Sequence, residues 1–506
     1  MSRVGAALAA ALLLAGCTAA SHSPAGRSGT AATTPPPGAA PHSANDESAD
    51  VPGSRWRIAP GHAGGIAGYA NPISILSGQP VTLYVSTSAP TFRVRAFRMG
   101  WYQGALARQI WQSGSVTGRR QPAPAMRPAA TNTVETFWRP SLTVPTRGWA
   151  PGDYLFRLDA AGGHESFVPL TVRASTARGK IVIISPVTTW QAYDTWGCCD
   201  LYAGGDGTFA NRSRAVSFDR PYTMQHGAGE FIRGQLGVLA EAERLRLPLD
   251  YVTDIDLQTI PHLLAGARAV VSVGHDEYWS PQMRAAVTTA RNAGTNLAFL
   301  GANAIFRRIR LGNTHVGPDR LVINYKIAAE DPLYGRNNAE VTADWPAAPD
   351  PQPESSLLGA QYACLPQTSH VAGVVADPVR WLFAGTHVHT GTRLRGLIGT
   401  ETDAVQLGYP TPRPIQVLLH SPTDCPNDTP PYADTSYYVA RSGAGVFDAG
   451  TIAWSCAVGT NCQPVSRRTH RVVRTVTDNL LRAFAQGPAG RAHPAHDNLA
   501  QLGIAG

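Results

Sequence analysis

Lysine is almost absent from this chain of 506 residues: Lys180 and Lys326 are the only two, so the net charge of +8 rests on arginine. No run of basic residues interleaved with aromatics occurs, which removes the usual footprint of a nucleic-acid binder and leaves no nucleic-acid partner expected. Also missing are a serine nucleophile elbow, a His-Glu-x-x-His helix, a phosphate-cradling glycine-rich loop and a Cys-x-x-Cys pair. Serine-hydrolase, zinc-hydrolase and nucleotide-binding chemistry are therefore disfavoured. No hydrophobic run is long enough to span a bilayer, and no internal repeat of fixed period is visible. Cysteine is scarce, seven in all, of which Cys17 stands apart from the other six.

What is present begins with a targeting signal. Arg3 supplies a positive start, Ala6 to Leu14 a short apolar segment, and Leu14-Ala15-Gly16-Cys17 closes it, the pattern of a lipoprotein signal in which Cys17 is acylated. The expected location is extracytoplasmic, with the chain anchored to the bacterial membrane by an N-terminal lipid. Five segments follow from composition: a signal peptide over 1–17, a Pro/Ser/Ala linker over 18–54, an immunoglobulin-like β-sandwich over 55–175, an α/β domain over 176–487 and a tail over 488–506. Val81–Val85, Phe92–Phe97, Val134–Trp138, Tyr154–Leu158 and Phe167–Val172 show the period-two pattern of sandwich strands. In an oxidising compartment the remaining cysteines favour disulfides: Cys456 and Cys462 are close enough to close a loop, and adjacent Cys198 and Cys199 are expected to find two distant partners.

The α/β domain is organised around Val270 to Phe306. Val270, Val271 and Val273 read as a buried parallel strand, Ser280-Pro281 as a helix start, Gly294 as its stop, and Leu297, Phe299 and Leu300 as the next strand. Such a βαβ unit delivers His275-Asp276-Glu277-Tyr278 and Asn303 to the carboxyl ends of its strands, where open α/β sheets place their sites. Asp254 and Asp256 end another strand and join the site only if the sheet brings that loop beside His275. An imidazole, a carboxylate and a phenol in one group can bind a hard cation. A loop rich in aromatics holds Trp190, Tyr193, Trp196 and Tyr202, and an amphipathic helix from about Arg467 to Phe484 closes the domain.

Gly274–Trp279, with Asp250–Leu257 before it and Asn296–Asn303 after it, resembles the large (beta) subunit of N,N-dimethylformamidase over roughly Ile181 to Phe484. The resemblance implies a glutamine-amidotransferase-like domain, with a mostly parallel sheet and flanking helices, holding one iron ion through two tyrosines and a glutamate. Tyr278 matches the tyrosine of the family's His-Pro-Glu-Tyr stretch, with Asp276 in place of the proline. Glu340 is taken as the glutamate ligand, with Glu330 and Glu354 as rivals. The second tyrosine is left unassigned, since Tyr251, Tyr222 and Tyr202 match the expected position poorly. The implied activity is hydrolysis of the C–N bond of a small amide, with His275, Glu277, Asn303 and Asp254 as catalytic candidates. The alternative is a metal-free, surface-anchored protein that keeps the fold to contact glycan or protein. Assembly with further copies or with a small subunit is left open.

Overall fold

The computed structural model describes residues 56–62, 64–426, 430–459 and 464–504, which fall within one compact unit, His42–Gly506. The signal segment with Cys17, all of the linker, and Cys462 lie outside the described residues.

Strands before residue 175 form a two-stranded ladder of Ala125–Met126 on Val134–Glu135 and two larger sheets. One pairs Ile66–Asn71, Val81–Thr87 and Leu142–Val144; the other runs Ser74–Leu76, Glu165–Arg173, Gly152–Ala160, Thr91–Met99, Ala107–Gln112. Alternate residues such as Val81, Leu83, Val85, Val94, Phe156 and Val168 point inward and make an apolar core of their own, as period-two patterning requires.

A seven-stranded sheet carries the site. Its order is Leu249–Thr253, Ile181–Ser185, Ala269–His275, Asn296–Ala302, Gly445–Asp448, Tyr432–Val439, Ile415–Pro422. The first five pair in parallel, and Tyr432–Val439 runs against them, pairing antiparallel with both Gly445–Asp448 and Ile415–Pro422. The expectation of a mostly parallel, glutamine-amidotransferase-like sheet with flanking helices is thereby corrected: the chain is mostly β, built from mixed and antiparallel sheets. The physical reason lies after Ala302. A parallel neighbour needs a crossover of a dozen residues or more, usually a helix. From Arg307 to Ala404 the chain instead makes strands of two to six residues joined by turns, which pair locally as short ladders.

The unit around His275 forms as its sequence dictates. Ser280 caps the helix Pro281–Asn292 by accepting from Met283 N at 3.2 Å, and Gly294 follows with φ +100°. The last helix, Arg467–Ala485, buries Val472, Val476, Leu480 and Phe484 on one face. A π turn at Phe231–Gln235 leads directly into the helix Leu236–Arg244.

The cysteine expectation also needs correcting. Cys198 and Cys199 are bonded to each other, and Cys364 pairs with Cys425. The loop around the adjacent pair is folded tightly on Arg220, whose guanidinium donates to Trp196 O at 3.2 Å and Cys199 O at 2.9 Å. Cys364 and Cys425 meet instead at a Cα separation of 5.7 Å.

Candidate active site

Register builds the site. The parallel ladder Ala269–His275 on Asn296–Ala302 sets His275 opposite Ala302, so His275 and Asn303 leave neighbouring strand ends together. Gly274 makes the exit possible. Its φ is +67°, and a Cβ there would stand 3.1 Å from Gly234 Cα. Beyond it, Thr189 Oγ1, on the helix Val187–Ala192, accepts from Glu277 N at 2.9 Å and Tyr278 N at 3.2 Å. Asn303 and Ile305 both adopt left-handed backbone, φ +55° and +56°. For Ile305, a β-branched residue, that is strained, at a cost of about 1–3 kcal/mol held by the surrounding structure.

Glu277 stands at the centre. Its carboxylate accepts from Tyr193 Oη at 2.6 Å, from Tyr202 Oη at 3.2 Å and from Arg307 Nε at 3.1 Å, and His275 Nε2 lies 3.3 Å away. Tyr193 and Tyr202 touch through their hydroxyls at 2.6 Å and stack with centroids 4.6 Å apart. Two phenolic oxygens and one carboxylate therefore converge on one point. Burial works to raise the Glu277 pKa, but His275, Arg307 and Lys326 overcome it and hold the carboxyl well below its ordinary value. Burial pushes both phenols well above theirs, and the Glu277 charge adds to this.

Behind this set lies a second layer. Tyr278, fully buried, meets Tyr202 Oη at 2.7 Å and accepts from Lys326 Nζ at 2.6 Å. Lys326 also sits 3.6 Å over the Tyr202 ring, and burial, with Arg307 next, drives its pKa well below the ordinary lysine value. Arg307 is paired with Asp344 as well as Glu277. On the open side, His275 Nε2 is 3.1 Å from Glu401 Oε2, and Asn303 Nδ2 donates to the same oxygen at 2.9 Å. Burial would lower the His275 pKa, yet Glu401 and Glu277 raise it well above its usual value. Asn303 Oδ1 is buried with no hydrogen-bond partner. A cavity of about 270 Å³ begins at Tyr193 and is walled by Trp190, Tyr222, Met224 and Phe231.

Of the residues singled out from sequence, His275, Glu277 and Asn303 are together and Tyr278 lies directly beneath them. Asp254 is elsewhere: fully buried, it accepts from Thr188 N at 3.0 Å and contacts the Thr188 hydroxyl, whose oxygen lies 2.7 Å from Tyr278 O. Asp256 caps its own helix through Thr253. Glu340 ends the short turn Asn338–Glu340, where its carbonyl accepts from Arg310, and among the described residues no hydrogen bond joins its carboxylate to Tyr278. Glu330 pairs with Arg212 and Arg214, and Glu354 bonds Gln361 and Tyr362 N. Sequence reasoning missed Glu401 and Arg307. Glu401 reaches the site from a turn beside the Thr402–Ala404 strand and carries no local signal, whereas Lys326 was marked by the rarity of lysine.

A mixed-sheet domain with an oxygen-rich, imidazole-bearing site at its parallel strand ends is the class that fold and geometry define. Residues 93–464 match the family model described as N,N-dimethylformamidase beta subunit-like, C-terminal, and the chain belongs to that family. No curated protein matches it. Among solved structures, a Paenibacillus sp. cycloisomaltooligosaccharide glucanotransferase complexed with cycloisomaltoheptaose shows 10% identity, over 52% of this chain and 34% of that one, with a TM-score of 0.15. Macromomycin shows 12% identity, over 21% of this chain and 98% of that one, with a TM-score of 0.11. Likenesses this low carry no argument about fold or function.

The resemblance implies iron held by two tyrosines and a glutamate, and the donor chemistry of Tyr193, Tyr202 and Glu277 fits that group. All three are hard oxygen donors within hydrogen-bond distance of one another. Arg307 steadies the carboxylate from behind, as outer partners of metal ligands do. Tyr278, the expected ligand, supports Tyr202 in this arrangement.

Proposed function

We propose that the protein is an extracytoplasmic, lipid-anchored hydrolase that cleaves the C–N bond of a small amide. The observation that supports this reading is the convergence of Tyr193, Tyr202 and Glu277 beside His275, Glu401 and Asn303. Tyr193, Tyr202 and Glu277 would hold a ferric ion, which when bound supplies Lewis acidity to an amide carbonyl. The remaining work belongs to the chain. Glu401 takes a proton from the attacking water, and the unpartnered Asn303 Oδ1 holds that water by accepting its other hydrogen. The imidazolium of His275, kept charged by Glu401 and Glu277, gives a proton to the departing nitrogen. Water oxygen bonds to the carbonyl carbon, the C–N bond breaks, and an acid and an amine leave. The cavity beyond Tyr193, walled by Trp190, Tyr222 and Phe231, suits an apolar N-substituent.

The test uses full-length protein with its disulfides intact. Stoichiometric iron, a visible phenolate-to-iron absorption and release of amine from N-alkylformamides are expected, with turnover lost and the absorption weakened in Tyr193→Phe and the absorption abolished when Tyr202→Phe is added. Iron-free protein as purified, or turnover unchanged in Tyr193→Phe, would overturn the reading.

A further inference from the structure

We propose a second cation site, separate from the one above, in which Glu135, Asp219 and His315 bind a divalent first-row transition metal. The three offer ligand atoms within 4.8 Å of one another. They come from three distant segments: Glu135 from the strand Val134–Glu135, Asp219 from just beyond Ala215–Ser217, and His315 from the loop between Arg310–Gly312 and Leu321–Ile323.

The decisive observation is an orphaned oxygen. Asp219 is fully buried, and its Oδ1 is matched by Arg320 Nε at 2.5 Å, but Oδ2 has no hydrogen-bond partner. That oxygen faces His315 Nδ1 at 3.6 Å, outside hydrogen-bond range. The same Nδ1 already contacts Glu135 Oε1. One ring nitrogen has one lone pair or one proton, so it serves one carboxylate and leaves the other bare. A cation between the three satisfies them all. Ligands about 2.0–2.2 Å from a metal lie roughly 3–4 Å apart, so small side-chain shifts close the set.

Charge agrees. Arg320 is paired with Asp219 through Oδ1, and its other nitrogens are committed to Asn71 Oδ1, Ala70 O and Phe218 O. Access agrees too: His315 is about a third exposed, with its ring stacked on Phe137 at 4.5 Å, so an ion can enter and keep water on its open side. One imidazole and two carboxylates suit zinc or a neighbouring metal better than calcium or magnesium. Bound there, the ion would fasten the Val134–Glu135 segment to the Ala215–Ser217 and Leu321–Ile323 pair.

The experiment titrates Zn²⁺ into chelator-treated full-length protein by calorimetry and follows the melting midpoint. Wild type is expected to take up one more equivalent than His315→Ala, at micromolar affinity, and to gain about 3 °C at a hundredfold excess over Kd, a gain absent from the variant. Should His315→Ala fail to fold, Glu135→Gln provides the same comparison. Equal stoichiometry and equal midpoints in wild type and variant, or zinc binding weaker than millimolar in wild type, overturn the proposal.

Discussion

Glu277 in the candidate site and Asp153 near the start of the central strand Gly152–Ala160 are both almost fully buried carboxylates, and they behave in opposite ways. Glu277 is surrounded by Arg307, His275 and Lys326 and is held ionised, well below its ordinary pKa. Asp153 is given neutral donors: Thr171 Oγ1 at 2.7 Å, Ser185 Oγ at 3.2 Å and Gln235 Nε2 at 2.6 Å. Burial pushes it up to about 7, with those donors and Arg98 opposing only in part. Depth is the same; the charge of the partners differs. A site that must keep an anion in a dry interior recruits cations, while a structural junction accepts a carboxyl that is half protonated near neutrality.

The most severe way to break this contrast is Glu277→Gln. It leaves Arg307 and His275 buried without their shared anion, and an unfolding free energy lower by about 3–5 kcal/mol is expected in chemical denaturation. Amine release should fall about a thousandfold or more, as when a group that stabilises developing charge is removed. A variant as stable and active as wild type would show that the central carboxylate is dispensable.

Glu401→Gln is the next largest. Loss of a positioned proton acceptor predicts turnover lower by about 10²–10⁴ with the protein still folded. It also removes a charge that raises the His275 pKa. Because His275 must be protonated to donate, activity falls as pH rises through that pKa, so the alkaline limb of the pH–rate profile should move to lower pH in the variant. An unmoved limb would assign the proton to another group.

The smallest effect sharpens the other half. The folded pKa of Asp153 lies above its unfolded value of about 3.8, so the stability it contributes is full below that value and is lost as pH rises through about 7. Asp153→Asn should flatten stability between pH 5 and pH 8, read from denaturant midpoints at the two values. Glu277 has the reverse sign: its contribution is present above the unfolded glutamate value and is lost on strong acidification.

Much of the site was legible because it is local. The apolar run Val270–Val273, the Ser280-Pro281 start and the strand Leu297–Leu300 mark a βαβ unit in a contiguous stretch, and that unit sets His275, Glu277 and Asn303 side by side. Tyr193 and Tyr202 were conspicuous as aromatics, but not as partners of Glu277, since a helix and a folded loop separate them from it in sequence. Glu340 was chosen on the family resemblance and Asp254 for its position at a strand end, and among the described residues neither carboxylate bonds to the cluster. The sheet was misjudged because a parallel start was extended over a region whose strands are short and turn-linked.

By itself the chain's order of residues determined the elements whose causes lie within a dozen positions: alternating strands, the capped helix, the Gly274 exit and the group His275–Tyr278. Tertiary structure alone decided which distant side chains complete that group. Tyr193, Tyr202, Arg307, Lys326 and Glu401 arrive from four other segments. No local rule encodes such meetings, because they depend on register across the sheet and on which buried charges can be neutralised when the loops close over its edge.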